Sequence, residues 1–475
     1  MLAEDQIEAI HEASLAVLRD TGMDFLHPEA IEILRGAGAQ IDGNGPRVRF
    51  DPSMIEEVIT SIPSSFEMHA RNPERNVSIG GSHVNFLSVG SAPNASDLDS
   101  GRRPGSFVDF SNLVKLTQHF NVLSMHAGYP VEPVDLDPSI RHLSALAEIV
   151  RQSDKIFHGY SLGRQRILDA LEILRIARGV TMEQLIDEPS MHTVINTSSP
   201  LRLDGPMIEG MIEMIRHGQV VVVTPFTLSG AMAPATIAGA LVQQNAEALA
   251  GLAFSQMIRP GANVMYGGFT SNVDMRSGSP AFGTPEYTRA AIAGGQLARR
   301  YGVPYRSSNA TASNAVDAQA AYEAQMSLWG AVMGGASFVM HGAGWMEGGL
   351  VASFEKFIID VEMLQMMSEF LQPLPFAEED LGVAAIADVG PGGHFFGTQH
   401  TLDRYETAFY PPIVSDWQNF ESWEMSGALD ASQRANAVWK RALGEFEPPP
   451  LPDEREAELA DFVGRRTAEG GVPPH

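Results

Sequence analysis

Val220–Leu228 reads VVVVTPFTL and Ala336–Trp345 reads ASFVMHGAGW. Both runs are apolar almost throughout, where a half-exposed strand would alternate. That pattern belongs to strands covered on both faces, as in parallel sheets flanked by helices. Six more runs of strand-like composition lie around them: His83–Gly90, Val122–Tyr129, Lys155–Leu162, His192–Ser199, Asn263–Thr270 and Pro304–Thr311. Helical stretches separate them: Val108–Phe120, Pro138–Gln152, Gly163–Ala177, Pro206–His217, Pro234–Met257, Pro285–Arg300, Ala318–Met333 and Val351–Leu371. Several open with Pro, which suits the first helical turn because its missing N–H would be unpaired there anyway. Eight βα units of this size predict an α/β fold of the (β/α)8 TIM-barrel type. The competing open, doubly wound sheet needs a Gly-rich phosphate turn after its first strand. The residues after Gly90 read SAPNASD and contain no such turn.

The flanks have a different rhythm. Residues 1–80 predict a helical extension, with helices over Asp5–Asp20, Pro28–Ala37 and Asp51–Ile62. The barrel is expected over residues 81–372. Pro373, Pro375 and the acidic run Glu378-Glu379-Asp380 then mark a seam. Residues 373–475 predict a mixed, partly helical extension, with helices at Asp430–Leu443 and Glu454–Gly464 and a disordered Gly/Pro-rich tail.

Composition narrows the function. The chain has 475 residues, 32 Lys and Arg against 58 Asp and Glu, and a net charge of −26. Nucleic acid and anionic lipid both require clustered basic residues, so neither is an expected partner. There is no cysteine, which excludes disulfides, Cys-ligated zinc, iron–sulfur clusters and a Cys nucleophile. No apolar run approaches a membrane span, and the opening MLAEDQIEAIHEA is acidic and amphipathic, unlike a signal peptide. The expected compartment is the cytoplasm. No HxH on the first strand, HExxH, Walker loop or GxSxG elbow is present. His394 and His400 lie in a Gly-rich loop without a carboxylate pattern, so no metal site is expected.

A TIM barrel carries its site at the C-terminal mouth of the strands. Tyr129, Tyr160, Phe226, Tyr266, Phe269 and Trp345 end several strands there. A ring of aromatic faces suits a quaternary ammonium ion, which has no proton to donate. Packing aromatics at a loop interface would have the same spacing. His158, Asn196, Thr224 and Asn309 add polar groups at strand ends. Arg306 and His341 fall near the ends of adjacent strands, followed by Glu347. An Arg there can clamp a carboxylate bidentately, and a His can donate to it or handle a proton. A structural ion pair for Arg306 and a core histidine at 341 are the competing readings.

The chain also resembles the trimethylamine methyltransferase superfamily, in particular its members without pyrrolysine. The likeness runs through IHEASLAVLRDTG (Ile10–Gly22), GAGAQID (Gly36–Asp42), ARNPERNVSIGG (Ala70–Gly81) and APNASDLDSGRRPGSFVDF (Ala92–Phe110). It continues through HGAGWMEGGLVASFEKFIIDVEML (His341–Leu364), GGHFFGTQHT (Gly392–Thr401) and SQRANAVWKRAL (Ser432–Leu443). No one segment is diagnostic; their joint order carries the likeness. The resemblance implies a TIM barrel that moves a methyl group from an amine nitrogen to Co(I) of a corrinoid. Family members acting on trimethylamine use an in-frame pyrrolysine, whereas this chain has only standard residues, with Gly342, Gly344, Gly348 and Gly349 crowding strand eight. That departure favours a quaternary amine such as glycine betaine or a related betaine.

On this reading Arg306, Asn196, Tyr160, Phe226, Tyr266, Asn309 and Trp345 bind substrate, and His341 and Glu347 are the catalytic candidates. The chain has no DxHxxG, the corrinoid carrier's cobalt-ligand motif. The corrinoid is therefore expected on a separate protein or as free cofactor, and the resemblance also implies a homo-oligomer. Two alternatives stay open: a barrel enzyme of other acid–base chemistry using His341 and Glu347, and a non-catalytic betaine-binding protein.

Overall fold

The computed structural model describes residues 1–473. Its centre is an eight-stranded parallel barrel. The strands are β1 (Asn85–Ser88), β2 (Leu123–Met125), β3 (Phe157–His158), β4 (Met191–Thr197), β5 (Val220–Pro225), β6 (Val264–Gly267), β7 (Tyr305–Ser308) and β8 (Phe338–Ala343). Neighbours pair in the order β3-β4-β5-β6-β7-β8-β1-β2. A parallel bridge from Met125 to Ile156 joins β2 to β3 and closes the ring. Seven of the eight strands fall within the runs expected from the sequence, and β4 starts one residue before its run.

The helices between them are α1 (Phe107–His119), α2 (Arg141–Gln152), α3 (Arg164–Arg178), α4 (Gly205–Arg216), α5 (Ile237–Ile258), α6 (Pro285–Tyr301), α7 (Ala318–Gly334) and α8 (Phe354–Phe370). Six start on a side chain that accepts a free backbone N–H of the first turn: Ser106, Asp204, Thr236, Thr284, Asp317 and Ser353. Left-handed Gly179, Gly302 and Gly335 end α3, α6 and α7.

Strand parity builds the barrel interior in layers. Leu87, Met125, Ile156, Val220, Val222, Met265 and Phe338 form an apolar floor with Met68 and Ile79. The last two come from a hairpin, Ser65–Met68 with Val77–Gly80, that plugs the N-terminal end. The alternate residues, such as Val221, Val223 and Val264, face outward into the main core under the helices.

The N-terminal extension is mixed rather than helical. Its three expected helices form, but Met23–Phe25, Gln40–Ile41 and Arg47–Arg49 also make a small sheet with Arg202–Leu203. Strands of two or three residues are too short to leave an alternation signal. At the mouth, Asn94–Asp97, Gly101–Pro104, Trp345–Met346 and Val351–Ser353 form a four-stranded sheet that ties the loop after β1 to the loop after β8. C-terminal helices run over Ala431–Gly444 and Asp453–Ala468. The tail expected to be disordered instead packs as far as Val472, whose N–H donates to the Ser139 carbonyl at 2.9 Å; Pro474 and His475 lie outside the described residues.

Candidate active site

A cavity of about 510 Å³ opens at the C-terminal mouth of the barrel, within the usual range for small-molecule sites. Its wall brings together Asn196, Tyr160, Phe226, Arg306, His341 and Trp345, six of the residues singled out from sequence, along with His158, Thr224 and Phe269.

Arg306 sits on β7, where Tyr305 turns outward to donate its hydroxyl to Ala291 and parity turns Arg306 in. It is only 3% exposed. Among the described residues no carboxylate lies within ion-pair distance of it. Its Nε has no partner, and Nη1 reaches only the Gly268 carbonyl, at 3.4 Å. Burial pulls the guanidinium down to about 10, still protonated at neutral pH. A buried cation without a counter-ion is costly and calls for an anionic ligand. The cavity wall contains no Asp or Glu, so Arg306 is its one permanent charge.

Neutral imidazoles surround that charge. His158 accepts the Val194 N–H on Nε2 at 3.0 Å, which leaves the proton of the neutral ring on Nδ1. That Nδ1 has no protein partner. Burial, then His192 and Arg306, hold His158 well below its ordinary value. His341 is held low by burial, then by Arg306 and His158.

His341 reaches the cavity through a backbone irregularity. Met340 already faces inward, so regular alternation would turn His341 out. Instead His341 has φ 56°, and the pairing of β8 with β1 shifts register between Val339 and Ala343. Such a kink re-aims a side chain, and both Met340 and His341 line the cavity. The His341 ring lies 3.8 Å from that of Trp345.

The upper wall is aromatic. Phe226 stacks on Phe269 at 5.2 Å, and Phe269 meets Trp345 at 5.9 Å. Tyr160 contacts Tyr129 at 4.6 Å and His158 at 4.5 Å. Its hydroxyl accepts the Tyr129 N–H at 3.0 Å and pairs with Ser91 Oγ at 2.7 Å. With its oxygen engaged there, Tyr160 offers the cavity chiefly its ring. Gly349 makes room for Trp345: it has φ +101°, and a Cβ there would stand 2.7 Å from the Trp345 ring.

Three expected site residues lie elsewhere. Tyr266 is one residue out of phase with inward-facing Met265; its hydroxyl donates to Asn245 at 3.1 Å and accepts from Gln244 at 3.3 Å, both on α5. Asn309 is likewise turned off the cavity, donating to the Gly342 carbonyl at 2.9 Å. Glu347 is drawn aside by an ion pair with Arg102 Nε at 3.0 Å, so it lies off the cavity wall while Gly348 and Gly349 remain on it. Ser91, Met207 and Thr197, which also line the cavity, were not anticipated; no local motif marks them. Among the described residues no group of three or more His, Asp or Glu could hold a metal, and no helix is long and apolar enough to cross a membrane.

A TIM barrel whose mouth encloses a small cavity with a cationic floor and an aromatic wall is built as a small-molecule enzyme. The chain belongs to the trimethylamine methyltransferase (MTTB) family, whose sequence profile matches residues 1–471, and it is a methyltransferase. Among its relatives, a glycine betaine methyltransferase of Desulfitobacterium hafniense is 37% identical over 99% of this chain and 98% of its own length. A trimethylamine methyltransferase of the same species is 29% identical, covering 99% and 94%. Another, from Methanosarcina mazei, is 26% identical, covering 95% and 92%. The crystal structure of the hydroxylamine MtmB complex has the same fold, with a TM-score of 0.55, 10% identity, and coverage of 100% of this chain and 89% of that one.

Proposed function

We propose that this chain transfers a methyl group from glycine betaine, or a closely related carboxylate-bearing quaternary amine, to Co(I) of a corrinoid carried by a separate protein. One observation carries the reading: a buried, unpaired Arg306 lies in a cavity that has an aromatic upper wall and no acidic residue. A simple cation would meet only the positive charge of Arg306. A zwitterion resolves this, because its carboxylate pairs with Arg306 while its trimethylammonium lies against aromatic faces. The 37% identity to a glycine betaine methyltransferase agrees.

In this arrangement Arg306 takes the carboxylate, with the His158 Nδ1–H as a second donor. Trp345, Phe226, Phe269 and Tyr160 surround the cation without compensating its charge by an ion pair. The N–CH3 carbon therefore keeps its electrophilic character. The leaving group is a neutral tertiary amine, so no general acid is required. Neutral His341, kinked toward the cavity, packs on Trp345 and fixes the indole. Glu347 acts through Arg102 to hold the turn below that indole. Co(I) supplies the nucleophile when the corrinoid is docked. The cavity is of a size to hold a betaine, and the corrinoid would be presented at its mouth by the separate carrier protein.

The acid–base alternative has less support, since His341 is held in the neutral form and Glu347 is engaged by Arg102. Calorimetry with glycine betaine, choline and tetramethylammonium tests the reading. Only the first carries a carboxylate, and only it is expected to bind well. Equal affinity for choline would contradict the proposal.

A further inference from the structure

A second chamber opens at the mouth of the barrel, beside the first. It holds about 280 Å³, near the lower end of the usual range for small-molecule sites. Ser91, Tyr160 and Leu162 line both cavities, so a single layer of side chains separates them. The far side of the chamber is built by the loop after β2 and the first turns of α2 and α3, which bring Tyr129, Glu132, His142 and Arg166 to its wall.

The protein leaves polar atoms of these residues unpaired. Arg166 has no ion pair among the described residues; its Nη2 reaches the Pro138 carbonyl at 3.3 Å, and its buried Nε has no partner. His142 is 3% exposed. Its Nε2 meets Asp169 at 2.8 Å, and Arg466 donates to the same carboxylate at 2.8 Å. The buried Nδ1 of His142 has no partner. With the Nε2 proton directed at Asp169, Nδ1 is an acceptor. Glu132 accepts Arg141 Nη1 on Oε1 at 2.7 Å, which leaves Oε2 for a further donor. The Tyr129 ring and Leu146 add apolar surface. One small space therefore offers a cationic donor, a carboxylate and a second acceptor, and buried polar atoms without partners call for a ligand.

The main cavity has the cation but no acidic residue, and that difference selects what each can hold. A quaternary nitrogen has no N–H. Once it loses a methyl group it is a tertiary amine, which takes one proton from water at neutral pH, as aliphatic amines do. It then presents an N–H donor that finds no carboxylate in the main cavity. We propose that the second chamber binds the demethylated product, a carboxylate-bearing ammonium with at least one N–H. Arg166 takes its carboxylate, and Glu132 Oε2 or His142 Nδ1 accepts its N–H. The inference rests on the reaction proposed above and gives substrate and product separate sites on either side of Tyr160. A betaine has no proton for Glu132 or His142, so the chamber discriminates against the substrate.

Calorimetry with N,N-dimethylglycine tests this, on the free protein and on protein saturated with glycine betaine. Dimethylglycine is expected to bind the saturated protein, because the two ligands occupy different cavities. Arg166→Gln and Glu132→Gln should each weaken it by about tenfold or more, the usual effect of losing a hydrogen bond to a charged group. Both variants should leave glycine betaine affinity unchanged, whereas Arg306→Ala should lose glycine betaine and keep dimethylglycine. Displacement of dimethylglycine by glycine betaine, or an affinity indifferent to both chamber variants, would overturn the inference. Failure of glycine betaine itself to bind would count against the reaction instead; the chamber is then judged on the free protein, where dimethylglycine binding that depends on Arg166 and Glu132 supports the site and binding that does not overturns it.

Discussion

The guanidinium carbon of Arg306 stands 5.2 Å from the centroid of the Phe269 ring. One side chain supplies the cavity's positive charge and the other part of its aromatic wall. A ligand that satisfies both must carry a carboxylate and an apolar cation a few bonds apart. Arg306→Ala is therefore expected to weaken glycine betaine by about 2–5 kcal/mol, the usual cost of removing one partner of a desolvated charge pair. Arg306→Lys should recover only part of this, since a point charge cannot make the bidentate contact. Calorimetric affinities unchanged in Arg306→Ala would remove Arg306 from the site.

The same residue sets a pH dependence. Burial brings Arg306 down to about 10, and the carboxylate binds only its protonated form. Affinity should be flat below about pH 9 and fall roughly tenfold per unit above about pH 10. In Arg306→Gln the residual affinity should not change over that range. Titration calorimetry across the alkaline range checks this.

Trp345→Ala should cost about 0.5–2 kcal/mol of betaine affinity through loss of a cation–π face. The neutral isostere 3,3-dimethylbutanoate, which has the carboxylate but no charge on the quaternary centre, should lose less. An equal loss for both would assign Trp345 to packing alone. Gly349→Ala is expected to act through the same ring, because its Cβ would collide with it and its backbone conformation disfavours any side chain. Loss of betaine affinity with barrel stability kept within ~3 kcal/mol is the expected result.

Four buried histidines predict acid lability. Burial takes His126 to about 3 and His192 to about 4, and holds His158 and His341 well below their ordinary range. Below about pH 6.5 the unfolded chain takes up protons that the folded chain refuses, so unfolding gains. Stability is full above that pH and falls as pH drops toward the folded-state values, by up to about 1.4 kcal/mol per histidine per unit. Urea unfolding at about pH 7.5 and 5.5 should show a large loss at the lower pH. A pH-independent midpoint would contradict the neutral histidine layer.

The barrel was legible because each strand is covered on both faces and each helix is amphipathic, so VVVVTPFTL and its companions stand out against their flanks. The site was legible in part, because strand ends can be located to within a residue or two. That margin is enough to invert a side chain. Tyr266 and Asn309 were assigned to the cavity by position, but strand phase turns both outward. Arg306, next to outward-facing Tyr305, falls in the inward phase. His341 faces the cavity only through a positive-φ kink that no local composition signals. Glu347 was misplaced for a different reason: its partner Arg102 is remote in sequence and meets it only through the sheet that joins the loops after β1 and β8.

The most direct test of the central claim is cobalamin alkylation. Purified protein, chemically reduced Co(I) cobalamin and single amines would be mixed, and the methyl-Co(III) spectrum followed. Methylation by glycine betaine or a near relative, with tetramethylammonium and trimethylamine inert and Arg306→Ala silent, is the predicted result. Methylation from tetramethylammonium at a comparable rate would contradict the account. So would the failure of every carboxylate-bearing quaternary amine both to methylate cobalt and to bind by calorimetry.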